Sequence, residues 1–119
     1  MPSQQEDLRA RTKAFAIRIV GVYRALSFKT DAQVLGKQLL RCGTAVAANY
    51  RATCRARSKA EWVAKIGIVV EEADETVFWL EMLSDCNIVP LKKLEPLLAE
   101  AHELCAIFTA SQFTARGNR

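Results

Sequence analysis

The chain has 119 residues, half of them apolar and a quarter charged, with a mean hydropathy of +0.01. That length supports one hydrophobic core and not two, and the balance excludes both a disordered polyelectrolyte and a membrane-spanning chain. The net charge of +4 is unevenly spread: residues 1–30 carry +4, 31–59 carry +5, 60–85 carry −6 and 86–119 carry +1. An acidic third segment beside two basic ones suggests complementary helix faces, within one chain or between chains.

No apolar run is long enough to cross a bilayer, and Met1 to Asp7 has no basic stretch leading into an apolar one. A cytoplasmic protein without a signal peptide is expected. Cys42, Cys54, Cys86 and Cys105 stand far apart with no Cys-x-x-Cys pair, so free thiols in a reducing compartment are expected.

In chain order, the first predicted helix covers residues 8–26. Leu8, Thr12, Phe15, Ile19, Val22 and Leu26 recur at steps of four and three and form one stripe. Ser27 to Thr30 breaks it. The second helix is predicted over 31–57, with Thr30 as cap and Gln33 completing a capping box. Its stripe is Leu35, Leu39, Cys42, Val46, Asn49 and Thr53, flanked by Gly36, Gly43 and several alanines. Glycine costs about 1 kcal/mol against alanine inside a helix, so the two glycines predict a close backbone approach.

The third helix is predicted over 59–85, opened by Ser58 and Glu61 as a second capping box. Its stripe is Trp62, Ile66, Val69, Ala73, Thr76, Leu80 and Leu83. Val77, Phe78, Trp79 and Met82 widen the apolar surface beyond one face, which places the helix at the bundle centre or against another subunit. The fourth helix is predicted over 91–115, with Leu91, Leu94, Leu98, Ala101, Cys105, Phe108 and Gln112 inward; Pro96 either kinks it or marks its first turn. A frayed end is expected over 114–119. Four helices with short breaks and no strand-like alternation predict an all-α, up-and-down antiparallel four-helix bundle.

The most specific stretch is Arg41-Cys42-Gly43-Thr44-Ala45-Val46-Ala47-Ala48-Asn49-Tyr50-Arg51, followed by Arg55-Ala56-Arg57-Ser58-Lys59-Ala60-Glu61-Trp62. It resembles the bacterial four helix bundle protein family, whose members include proteins encoded in intervening sequences of large-subunit ribosomal RNA genes. Arg41, Val46, Ala48, Asn49, Arg57, Ser58, Glu61, Trp62 and Glu75 match the family pattern. Cys42 replaces its usual Ser, and Tyr50-Arg51-Ala52 replaces its commoner Ile-Ala-Glu-Gly. The resemblance covers Leu8 to Phe113. It implies a left-handed bundle assembled as a ring-like homopentamer. A similar bundle is the accessory protein of diversity-generating retroelements, where it binds nucleic acid and the reverse transcriptase. No catalytic activity is implied.

Several clusters have two readings. Arg51, Arg55, Arg57 and Lys59 form either a phosphate-binding patch or a solvated tip that complements the second helix's C-terminal dipole. Asn49 is either a ligand contact or a buried amide that sets helix register or subunit pairing. Arg41 should meet Glu75, Glu72 or Asp74 when the second and third helices fold back on each other, as a structural pair. Glu71, Glu72, Asp74 and Glu75 lack the Glu-x-x-His pattern of a carboxylate-bridged metal site; His102 is the only histidine. No metal or cofactor is expected. Neither a phosphate loop nor a nucleophile elbow occurs, and Cys42 and Cys105 read as core thiols, so an enzyme is not expected. The leading expectation is a homo-oligomeric helical scaffold that binds RNA or DNA through basic helix tips. The alternative is an adaptor that docks a protein partner on Val77, Phe78, Trp79 and Met82.

Overall fold

The computed structural model describes residues 3–117, a bundle of 45 × 27 × 22 Å. Four helices make it up: α1 (Gln4–Ala25), α2 (Thr30–Thr53), α3 (Lys59–Asp85) and α4 (Leu91–Ala115). No strand occurs among the described residues. Each helix packs antiparallel on the next in sequence; α1 and α4 meet only sparsely. No helix of the described chain is long and apolar enough to cross a membrane.

Local chemistry sets the boundaries. Ser3 accepts a hydrogen bond from the Glu6 N–H at 3.1 Å, so α1 starts four residues before the predicted Leu8. Thr30 is the first residue of α2 and not its cap. The cap position is Lys29, whose side chain makes no capping bond. Gln33 turns to the α1–α2 connection instead: its amide donates to the Ser27 carbonyl at 2.8 Å, and its oxygen accepts from the Tyr23 hydroxyl at 2.8 Å.

α2 stops at Thr53, short of the predicted 57. The Arg55 and Ala56 N–H groups bond three residues back, tightening the last turn. Ser58 must then be extended to cap α3, and its hydroxyl accepts from the Glu61 N–H at 3.1 Å. The Glu61 carboxylate reaches back to the Arg57 N–H at 3.5 Å, one residue before the capping-box partner. Asn87, at φ 58°, closes α3 in the left-handed region that asparagine tolerates. α4 is continuous from Leu91 with Pro96 inside, where the Lys92 carbonyl loses its helical donor. Thr114 and Ala115, placed in the stretch expected to fray, are the last residues of α4, which ends at the Arg116 cap; Asn118 and Arg119 lie outside the described residues.

The core is built from Phe15 and Ile19 of α1, Leu39 and Val46 of α2, Ile66, Val69, Leu80 and Leu83 of α3, and Leu94, Leu104 and Phe108 of α4. Tyr50, and not Asn49, turns inward at the end of α2. Its ring lies 5.1 Å from Phe108, and burial pushes its phenol pKa up. Val46 can be followed on one face by either position 49 or 50, and the larger apolar area wins. On α4 the inward positions are Leu97 and Leu104, while Leu98 and Cys105 are half-buried. Gly36 and Gly43 do permit a close approach, but by side chains. A Cβ on Gly43 would sit 2.7 Å from Ile19 Cγ1, and one on Gly36 2.3 Å from Leu26 Cδ1.

Candidate nucleic-acid interface

One end of the bundle gathers the N-terminal turns of α1, the end of α2 and the start of α3. Between α1 and α2 at this end lies an open groove of about 460 Å³. Its floor is Ala10, Ala47 and Ala48 with Thr44; its rim is Arg9, Lys13 and Arg51. Small floor residues leave room, and the rim supplies cations from both helices. Arg55, Arg57 and Lys59 follow in the turn and at the start of α3. All six cations are exposed, and among the described residues none lies in an ion pair.

This arrangement revises the predicted patch in two ways. Arg55 and Arg57 sit in the turn after α2, so Arg51 and Arg55 do not share a helical face. Lys59 stands in the first turn of α3, where the helix dipole is positive and disfavours a cation. The dipole explanation therefore holds for Arg51 in the last turn of α2 but not for Lys59. Sequence reading missed Arg9 and Lys13. Their signal was there: both fall off the apolar stripe of the first helix, four residues apart, in the segment carrying +4.

The other singled-out polar residues have structural surroundings. Arg41 donates to Glu75, and its guanidinium stands 3.6 Å from Glu72. The Trp79 indole N–H donates to the same Glu75 carboxylate at 3.1 Å. The cluster ties α2 to α3. Glu72 Oε2 is buried without a hydrogen bond, and its burial raises the carboxyl pKa while Arg41 lowers it. Glu71 and Asp74 face solvent, and among the described residues no three His, Cys, Asp or Glu side chains gather as a metal would need. Asn49 is half-buried, and among the described residues its side chain makes no hydrogen bond, so within the single chain it is not the buried register amide expected. Its backbone carbonyl accepts from the Thr53 hydroxyl at 2.7 Å.

Val77 belongs to this chain's own core at 7% exposure, so it is not a surface residue. Trp79 and Met82 are half-buried, and Phe78 alone of the four is exposed, its ring edge-on to Trp79 at 4.9 Å. Cys42 is a buried thiol with Thr76 Oγ1 at 3.3 Å, and burial raises its pKa. Cys105 is half-buried and packs against the edge of the core.

Fold and charge layout together define an up-and-down helical bundle with one cationic end. Residues 5–110 match the 23S rRNA-intervening sequence protein family, and the chain belongs to that family. A solved structure from Bacteroides thetaiotaomicron, described as a protein with unknown function from the S23 ribosomal protein family, is similar to it. The two share 29% identity over 92% of this chain and 98% of that one, with a TM-score of 0.85. Among curated proteins, none matches the chain.

Proposed function

We propose that this protein is a non-enzymatic, homo-oligomeric helical scaffold that binds nucleic acid at its cationic end. The observation that carries the proposal is the set of six exposed cations around the α1–α2 groove and the turn after α2, none of them in an ion pair among the described residues. Lys and Arg so placed neutralise phosphates and release counterions, which supplies affinity with little base selectivity. The alanine floor offers no aromatic platform for stacked bases, so backbone contact is the mode that fits.

The test is fluorescence anisotropy with a labelled RNA and a labelled duplex DNA. The triple variant Arg55→Glu, Arg57→Glu, Lys59→Glu should lose binding by tenfold or more, by order of magnitude. Unchanged affinity would refute the proposal. A second reading, a protein-binding adaptor, draws on Phe78, which stands 49% exposed among acidic neighbours. Its affinity for a partner would depend on salt far less than phosphate binding does.

A further inference from the structure

A second groove opens at the same end of the bundle, on the other side of α1. It holds about 550 Å³ between α1, α3 and α4, a volume within the roughly 300–1,000 Å³ of small-molecule sites. It stays open because α1 and α4 meet only sparsely and α4 brings small residues, Ala110 and Ser111, to the seam. Leu8 and Ile107 give it apolar walls, and Tyr50 and Trp62 give it aromatic ones. The Tyr50 ring is buried and braced by Phe108 at 5.1 Å, whereas Trp62 is half-buried and keeps part of its surface open.

The polar groups of this groove are few and uncharged. Gln5 carries an amide, a donor and an acceptor on one side chain. The Ser111 hydroxyl donates to the Ile107 carbonyl at 2.9 Å, which leaves its oxygen as an acceptor. Among the described residues no charged side chain lines the groove. Cations stand one helical turn away on two elements. Lys59 precedes Trp62 by three positions on α3, and Arg9 follows Gln5 by four on α1, so each shares a face with a lining residue. Burial raises the Tyr50 phenol pKa and the Arg9 charge lowers it, which brings that cation within reach of the aromatic wall.

An uncharged aromatic slot with an amide and a hydroxyl, and cations one turn away, matches a nucleobase still joined to its phosphates. Bases stack on aromatic side chains and present donors and acceptors at their edges, while the charge stays on the backbone. A duplex keeps its bases stacked inside, so a single strand is what offers one freely. We infer that the groove between α1, α3 and α4 takes one unpaired base of a single strand, stacked on Trp62, while Lys59 and Arg9 hold the phosphates beside it. The alanine-floored groove on the other side of α1 then follows the backbone. The inference deepens the nucleic-acid reading of this end and rests on it.

The experiment is fluorescence anisotropy on the full chain with two labelled strands of one length, an oligothymidylate and an abasic strand with the same phosphates. Wild type should bind the oligothymidylate about tenfold tighter. Trp62→Ala should bring it down to the abasic level and leave the abasic affinity unchanged, whereas Trp62→Phe should keep the preference. Ala110→Phe fills the groove from an exposed position without removing a core contact, and it should abolish the preference as well. Circular dichroism checks folding, and where Trp62→Ala loses helix, Ala110→Phe decides. Binding of neither strand by wild type would overturn the nucleic-acid reading and the inference with it. Equal binding of both strands by wild type, or a preference that survives Ala110→Phe, would overturn the inference alone.

Discussion

The two seams of α1 are closed by different means. Along α2, glycines at 36 and 43 admit the side chains of Leu26 and Ile19 into contact too close for any Cβ. Along α4, a clasp does the joining: Arg11 donates to both oxygens of Glu100 at 2.8 and 2.6 Å and reaches Glu103 at 3.1 Å. Grooves of about 550 and 450 Å³ open on either side of that clasp. One seam is held by shape and the other by charge. Shape is indifferent to pH and salt, whereas a part-exposed ion pair is not.

Substitutions separate the two mechanisms. The largest effect is expected at Gly43. An alanine Cβ there meets the fully buried, branched Ile19 at 2.7 and 2.8 Å, and a β-branched side chain has little freedom to turn away. Gly43→Ala should destabilise by about 1–3 kcal/mol in urea unfolding, even after the better helix propensity of alanine. A stabilised variant would show that the seam is loosely packed.

Arg11→Ala comes next. It strands Glu100, whose side chain is only 18% exposed, beside α1. Arg11 itself is a third exposed, so solvent screening brings the expected cost down to about 1 kcal/mol. The pH dependence follows with its sign. The Arg11 hydrogen bonds hold the Glu100 carboxyl below the usual carboxylate range, so its contribution is present above the unfolded value of about 4.3. That contribution is lost as pH falls through the lower folded value. In thermal melts wild type and Arg11→Ala should therefore converge below about pH 4. A gap that stayed constant with pH would assign the loss to packing of the arginine stem.

Arg41→Ala should lower the melting temperature by less. Arg41 is half exposed, and its pairs with Glu75 and Glu72 sit near the surface, where such contacts contribute about 0–1 kcal/mol. The smallest net change is expected at Gly36→Ala. The atoms in the way there are the flexible end of Leu26, itself near the end of the bundle, and the edge of the Tyr23 ring at 3.0 Å; the movement of Leu26 and a small shift of that ring offset the roughly 1 kcal/mol gained in propensity. Equal losses at Gly36 and Gly43 would mean that side-chain flexibility does not decide the outcome.

Much of the fold was legible because helix stripes and caps are local. The inward positions of α1, the Ser58 cap and the Arg41–Glu75 meeting all follow from spacing and one turn. Positions where two neighbours compete for one inward slot were not legible. Tyr50 displaces Asn49, and Leu97 and Leu104 displace Leu98 and Cys105, because the choice depends on what the facing helix leaves open. The cationic end was half legible. Arg51, Arg55, Arg57 and Lys59 lie close in sequence, but Arg9 and Lys13 join them only through the α1–α2 pairing. The Arg11–Glu100 clasp spans the chain, and spacing could not have found it.

The most direct test of the cationic end as a nucleic-acid interface is the salt dependence of duplex DNA binding by the full chain. Log K should fall linearly with log salt, with a slope of about −0.9 for each phosphate neutralised, and the triple variant at Arg55, Arg57 and Lys59 should flatten it. A slope near zero in wild type, or the same steep slope in the variant, would contradict the account.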